Sequence, residues 1–509
     1  MKNNLLFICL VLLVVSLNSC ADSATSEDFV LKSIPQEVSM VTAIDADAIL
    51  EKADFEQVKK MAFYQELVNE TKKFNTTLGD VLENPSASGL DLTTNVYMAH
   101  HFDPNNPEEI FIGVVAAVKD KVALEKLIES NSKLKISKHG NFDVAMSGSQ
   151  SVSWNDELVV LGMTNSYSDP ITKIEKFFNT TEETAVTADP NLSKAINGKH
   201  DIASWLSTNA FAKSPMLKNI LIMASIDANA IQDNYIHSYV DFNDGAIEAR
   251  SNLFLQDALM ADINLLFKDK VTTDFSTFIP SSANSVMTLA LDFEGVQQML
   301  SKRPQASMMI DFGLKEYGLS VDDIASTFGG DILLYSTSNG DLASPGSFAT
   351  TIKDMDKFGK FLQLATDYKI LDKIDDKTYS INNSKMLAGG RSLGDAELLI
   401  LDDLIFISAD PTSLEAVKSG GFRGDDRIDA SKIKAIGSNI LAGFINYEDL
   451  LKSVSGTKDL NVKFKDMEFT TNRKDASFDM NFQEKNVNSL KQLFESINEI
   501  YLANKNGSI

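Results

Sequence analysis

The stretch "IPQEVSMVTAID" (residues 34–45) returns as "IPSSANSVMTLALD" (residues 279–292). Each copy sets an Ile-Pro pair before a polar spacer, a short apolar run and a closing aspartate, and each leads into residues at helical spacing. Internal similarity of this kind decides the architecture before single elements are read. Further pairs recur in the same order. "VVAAVKDKVALEKLI" (114–128) parallels "FATTIKDMDKFGKFL" (348–362), with Asp120 and Asp354 where a helix N-cap would accept orphan backbone N–H groups. "WNDELVVLGM" (154–163) parallels "LDDLIFISA" (401–409), an acidic turn feeding an apolar strand. "DIASWLSTNAF" (201–211) parallels "ILAGFINYEDL" (440–450). Two closing hairpins agree as well, "YIHSYVDFNDGAIEARSNLF" (235–254) and "VKFKDMEFTTNRKDASFDMNF" (462–482), with turn residues at Asn243-Asp244-Gly245 and Asn472-Arg473-Lys474.

Ordered matches of this number predict an ancient duplication. The boundary falls in the polar, Thr-rich stretch 269–278, which gives a first repeat over residues 34–270 and a second over 271–509. Strand segments alternate apolar and polar residues, as in Ala476, Phe478, Met480 and Phe482 against Ser477, Asp479 and Asn481. Alternation with tight turns predicts antiparallel pairing, and helical runs interrupt the strands without alternating regularly with them. The predicted class is α+β: two tandem similar domains, each a mainly antiparallel sheet with flanking helices. The final helix carries Leu490, Leu493, Phe494, Ile497, Ile500 and Tyr501 on one face and is expected to dock on its own domain.

The first residues, "MKNNLLFICLVLLVVSLNSC", hold an apolar run too short to span a bilayer. Residues 1–19 read as a secretory signal cleaved before Cys20. Leu17-Asn18-Ser19-Cys20 resembles the lipobox of bacterial lipoproteins, which implies lipidation at Cys20. Cys9, the other cysteine, lies inside the leader, so no disulfide is expected. Residues 20–33 begin small and acidic and read as a flexible tether. Within them Asp22-Ser23-Ala24 resembles a short O-glycosylation motif of Bacteroidota, with Ser23 the acceptor.

A formal net charge of −24 opposes binding to nucleic acid. Motifs with strong mechanical content are absent: no Gly-x-Ser-x-Gly elbow, no Walker loop, no His-Glu-x-x-His and no dinucleotide fingerprint occurs. His100-His101 sit in a predicted strand that sends neighbours to opposite faces, so a shared metal is disfavoured; Asp103, Glu108 and Glu109 would have to complete any site. His237 reads as a half-buried sheet histidine. Ser130-Asn131-Ser132-Lys133 fits a Ser-x-x-Lys spacing without its supporting motifs, and Arg423-Gly424-Asp425 reads as an exposed turn. The glycines of "FGGD" (328–331) and "AGGRSLGD" (388–395) read as turns or strand entries. No catalytic residue, metal ligand or cofactor is assigned.

With the lipobox, the paired Ile-Pro openings and the duplicated α+β plan, the chain resembles a group of uncharacterised lipoproteins of Bacteroidota with a domain of unknown function. The resemblance implies a lipid-anchored protein of the cell envelope, expected at the outer membrane. The expected role is noncatalytic binding or scaffolding of an envelope protein, glycan or lipid. The alternative is a hydrolase with an acidic site in the groove between repeats.

Overall fold

A computed structural model of the chain describes residues 29–506 apart from 75, 104–108, 131–133, 166–169, 197, 215–227, 338–345, 383–395, 430–431, 433–436 and 449–459. Cys20 and Ser23 lie outside the described residues. The last part of the expected tether is folded: the short helix Phe29–Lys32 buries Val30 and Leu31 among the apolar side chains of the first half. Phe29, the first large apolar residue after the small, polar stretch, stays 44% exposed, and the buried Val30 and Leu31 end the tether.

The repeated aspartates perform one local task. Asp45 and Asp292 accept backbone N–H groups of Ala48 at 3.0 Å and Gly295 at 2.9 Å, starting the helices Ala46–Ala53 and Phe293–Ser301. Asp120 and Asp354 cap the helices Lys121–Glu129 and Met355–Asp367 through Ala123 at 3.1 Å and Lys357 at 3.0 Å. Each carboxylate satisfies donors that the first helical turn leaves without partners.

The first half contributes strands β1 (Met40–Ile44), β2 (Leu90–Asp91), β3 (Val96–Phe102), β4 (Ile110–Val118), β5 (Lys135–His139), β6 (Phe142–Ser147), β7 (Gln150–Trp154), β8 (Leu158–Thr164), β9 (Ile202–Ser207), β10 (Tyr235–Asn243) and β11 (Ala246–Phe254). The second contributes β12 (Ala283–Ala290), β13 (Phe328–Thr337), β14 (Gly346–Ile352), β15 (Leu371–Lys373), β16 (Thr378–Ile381), β17 (Glu397–Ile400), β18 (Leu404–Ser408), β19 (Leu441–Asn446), β20 (Phe464–Thr471) and β21 (Asp475–Phe482). Every strand pairing among the described residues is antiparallel. In the first half they run β5-β6-β7-β8-β4-β3-β1-β9-β10-β11, with β2 continuing the β3 side of β4. In the second they run β15-β16-β17-β18-β14-β13-β12-β19-β20-β21. The two orders match strand for strand.

The halves meet by pairing β11 with β21, which joins everything into one continuous antiparallel series. Ala246 lies opposite Asn481 and Asp475 opposite Asn252 by extension of the same register, so positions equidistant from the two hairpin turns exchange partners. Ala249 and Phe478, at equal distances from those turns, face each other. The junction therefore has the geometry of a two-fold interface within one chain. Arg250 reinforces it, donating from Nη1 to the Phe478 carbonyl and reaching the Asp479 carboxylate.

Helices are exchanged across that junction. The final helix Ser489–Lys505 packs on Ala46–Ala53 and Ala62–Phe74 of the first half, where Leu490 joins the core cluster containing Ile49, Leu50 and Val96. The rings of Phe494 and Phe63 stack at 6.2 Å, Lys491 meets Asp54 at 2.7 Å, and Tyr501 and Lys505 both reach Glu66. Reciprocally, Asp257–Leu266 of the first half packs on Phe293–Ser301 of the second. The contact is close, because a Cβ built at Gly295 would lie 1.8 Å from the Leu265 carbonyl oxygen. The expectation that the final helix docks on its own half is corrected. Its apolar face is generic, and the β11–β21 pairing places the other half's helical layer beneath it.

Helices are thus grouped over an antiparallel sheet, and the fold is α+β. Buried clusters line the sheet in each half: Phe111, Val160 and Trp205 belong to one in the first half, and Phe275, Leu333 and Phe406 to one in the second. Among the described residues no helix is long and apolar enough to cross a membrane.

Candidate functional site

The segment joining the two halves folds over the start of the second one. Asp274 accepts the Ser276 backbone N–H at 2.9 Å and starts the short helix Phe275–Phe278. Beneath the segment, Asp331 on β13 is 1% exposed. Its Oδ1 accepts from Lys268 Nζ at 2.9 Å, while Oδ2 accepts from the backbone N–H and hydroxyl of both Thr272 and Thr273 at 2.7–2.9 Å. Burial is the largest influence on this carboxyl and pushes its pKa up. Hydrogen bonds from Lys268, Thr272 and Thr273, together with the Lys268 charge, outweigh it and hold the group below the ordinary aspartate value. A charged carboxylate that accepts so many donors fixes the connecting segment in place.

Against this anchored segment lies a concavity of 330 Å³, lined by residues 270–276 with Ile279 and Gly437. Its volume falls at the low end of small-ligand sites. Lys270 is exposed on its wall, Thr272 and Thr273 are engaged with Asp331, and Ile279 belongs to the second Ile-Pro pair. Asp274 is the lining carboxylate. Its hydrogen bonds to Ser276 hold it below the usual aspartate value, with burial opposing and Arg427 assisting. That suits an anion or cap at neutral pH and is the reverse of the raised pKa that a general acid needs. The wall offers an ammonium group, hydroxyls and apolar surface; among the described residues it brings no second carboxylate and no imidazole to Asp274.

The residues singled out by sequence are placed apart. His100 and His101 occupy successive positions of β3, and burial lowers the pKa of each; for His101 the Lys173 charge adds to it. His101 lies with Nδ1 3.0 Å from the Glu37 carbonyl and Nε2 3.2 Å from Lys173 Nζ, the arrangement of a neutral ring accepting from an ammonium. Asp103 is 3.8 Å from the same lysine, and Glu108 lies outside the described residues. His237 packs against the stacked rings of Tyr235 and Phe254, at 5.1 and 4.6 Å, and burial lowers its pKa too. Asp241, on the same strand, accepts instead from His200 Nδ1 at 2.9 Å. Among the described residues no three His, Cys, Asp or Glu side chains converge as a metal site.

Arg423, Gly424 and Asp425 are exposed at the short helix Gly424–Asp426. Asn131, Ser132 and Lys133 lie outside the described residues, as do Ala388 to Asp395 of the glycine-rich run. In "FGGD", Gly330 has φ +90° within an irregular stretch of β13, and a Cβ there would lie 2.2 Å from the Leu291 carbonyl oxygen. These glycines shape the strand that presents Asp331, which sequence reading passed over. Its signal was a lone carboxylate entering the apolar run "ILLY", where burial demands partners.

A family model described as a domain of unknown function (DUF4836) matches residues 31–373, from the first short helix to the end of β15. No curated protein matches. Among solved structures, crystal forms I and III of TP0453 are each 10% identical, with TM-scores of 0.26 and 0.27. They cover 46% of this chain in each case, and 81% and 82% of their own. The Helicobacter pylori beta clamp in complex with 3,4-difluorobenzamide is 8% identical at a TM-score of 0.07, covering 76% of this chain and 90% of its own.

Proposed function

We propose, for a chain that belongs to the family described as a domain of unknown function (DUF4836), a noncatalytic binding or scaffolding role at the cell envelope. The observation that carries this reading is the concavity at the junction: it is lined by Lys270, hydroxyls and Ile279, and its carboxylate Asp274 is committed to capping Ser276. Such a wall can hold a polar ligand with an apolar part, and its described residues do not form an acid–base pair. The leader and Cys20 support lipid attachment at the outer membrane, and Asp22-Ser23-Ala24 supports O-glycosylation at Ser23. The ligand class is an envelope protein, glycan or lipid headgroup.

The test incubates the chain from residue 21 onward with ester, glycoside, peptide and phosphate substrates, and in parallel with immobilised envelope glycans and lipids. Binding lost on Lys270→Ala without turnover of any substrate is the expected result. Turnover abolished by Asp274→Asn would overturn the reading in favour of an acidic hydrolase.

A further inference from the structure

All five histidines of the chain, His100, His101, His139, His200 and His237, lie in the first half, and the sequence from residue 271 onward has none. Two of them are neighbours on β3 and so point to opposite faces of the sheet. His101 stands at the corner where residues 37–39 lead into β1. Its Nδ1 is 3.0 Å from the Glu37 carbonyl, and its Nε2 is 3.2 Å from Nζ of Lys173 on the helix Ile171–Asn179. With Lys173 donating to Nε2, the single ring proton sits on Nδ1 and is donated to Glu37. Lys176 of the same helix meets the Glu37 carboxylate at 3.1 Å, and the Ser39 N–H donates to the His100 carbonyl at 2.7 Å. His100 lies opposite Met40 of β1 and Ile112 of β4, and its Nε2 is buried without a hydrogen-bond partner.

The second half has the matching corner without the imidazoles. Two residues before the capping aspartates Asp45 and Asp292, Ala43 lies opposite Tyr97 and Ala290 lies opposite Asp331. His100 and His101 follow Tyr97 by three and four positions, and the residues that follow Asp331 by the same steps are Leu334 and Tyr335. Leu334 has no charge to gain. Burial pushes the Tyr335 phenol up to about 12, with Ser347 and Ser413 opposing and Asp410 assisting, so the group stays neutral in acid and at neutral pH. Protons taken up in mild acid therefore act on one corner and spare its counterpart.

We propose that mild acid opens the first-half corner, residues 37–41 with the end of β3, while the matched corner of the second half stays shut. A second proton on His101 turns Nε2 into a donor that faces the Lys173 ammonium, with the Lys176 charge adding to the repulsion; the Glu37 carbonyl and Asp103 offset part of it. A charged ring at His100 has to place two N–H groups, and its buried Nε2 has no acceptor to meet. Both costs fall on the end of β3, where Ser39 and Met40 pair, and opening that end relieves them. Burial pushes the Glu37 carboxyl up, but Lys176, its own backbone N–H and the His101 charge outweigh it and hold the group below the usual glutamate value, so it stays ionised while the imidazoles titrate. Burial holds both imidazoles below their ordinary value, and Lys173 adds to this at His101. An opened corner takes protons near the free value of about 6.5 and the closed corner only at lower pH, so closure is fully stable above pH ~7 and weakens as pH falls from about 6.5 toward the folded values. His139 and His200 face the carboxylates of Glu175 and Asp241, and His237 is separated from β3 by β1 and β9; none of the three touches the corner. The switch is independent of what the concavity at Lys270 binds.

The experiment follows hydrogen exchange of the chain from residue 21 onward by mass spectrometry at pH ~7.5 and ~5.5, corrected for the intrinsic pH dependence of exchange. Peptides over residues 37–44 and 96–102 are expected to exchange about tenfold faster in acid, and those of β12 and β13 to stay unchanged. His100→Leu/His101→Gln should exchange alike at both pH values, because a side-chain amide can donate to Glu37 and accept from Lys173 without titrating. The single change His101→Gln, which leaves the packing at His100 intact, should lose part of the acid response. Equal exchange of the corner at both pH values in the unsubstituted chain would overturn the proposal. So would acid opening that spreads equally to β12 and β13, which would mark a general effect of carboxylate protonation, or acid opening that the double variant keeps. Should the double variant fail to fold, the comparison between halves and His101→Gln decide, and an undiminished acid response in His101→Gln would overturn the proposal.

Discussion

Leu490→Ala should loosen the first half of the molecule although the residue belongs to the last helix. Leu490 is buried in a cluster whose other members come from the first half, among them Ala46, Ile49, Leu50 and Val96. A buried Leu→Ala change costs ~2–5 kcal/mol, and ~3 kcal/mol is expected here because the first turn of a helix can relax toward the space left. At about 1.4 kcal/mol per factor of ten, the local opening equilibrium shifts by about two orders of magnitude. Hydrogen exchange monitored by mass spectrometry reads it directly. Amides of Ala46–Ala53 and Ala62–Phe74 should exchange ~100-fold faster, while those of β12 and β13 stay protected. Phe494→Ala should give a smaller effect in the same segments, since it removes the stacked contact with Phe63, worth ~1 kcal/mol beyond area. A chain ending at residue 270 should expose the same segments, and an added peptide of residues 486–506 should protect them again. Faster exchange confined to residues 460–506, with Ala46–Phe74 unchanged, would refute the helix exchange as a source of stability.

Asp331→Asn should destabilise the second half by ~3 kcal/mol, the lower end for breaking a buried ion pair, because Lys268 is 28% exposed and keeps some water; urea unfolding would measure it. The same carboxyl predicts a pH dependence. Its folded pKa lies below the unfolded value of about 3.9, so its stabilisation is present above pH ~4 and is lost as pH falls through the folded pKa. Acid unfolding below pH ~4 should therefore be shallower in Asp331→Asn than in the unsubstituted chain. Gly295→Ala should push the helices Asp257–Leu266 and Phe293–Ser301 apart at a cost of ~1–3 kcal/mol, read by thermal melting; an unchanged melt would mean that the contact is loose. Metabolic labelling with a clickable palmitate should tag the chain in cells and leave Cys20→Ala untagged; equal labelling would remove Cys20 as the lipidated residue.

Sequence reading located the strands and caps because both rest on local chemistry. Alternation in residues 476–482 is the signature of β21, and Asp120 and Asp354 cap the helices that follow them because a short carboxylate beside three free N–H groups has one good geometry. The hairpin turn at Asp244-Gly245 was equally legible, since Gly245 at φ +72° occupies a conformation that other residues resist. The site was read less well. The stretch 269–278 was visible as a polar boundary, yet the carboxylate that Thr272 and Thr273 bind through four hydroxyl and amide contacts lies more than fifty positions away, and the lone aspartate before "ILLY" demands partners without saying which.

By itself, the sequence determined the inventory of elements, their order in each half and the residues able to be buried, because propensity, periodicity and capping act over a few neighbours. Tertiary structure alone decided who covers whom. An apolar helix face specifies burial and not a partner, so Leu490 and Phe494 could satisfy it on either half, and the pairing of Ala249 with Phe478 chose the far one. The same indifference explains Pro304–Lys315. Its apolar residues could have packed on a core, and the tertiary placement of the helix leaves Met308, Met309 and Phe312 exposed. The hydrophobic effect is non-directional, and direction enters through the hydrogen-bonded register that sets one half against the other.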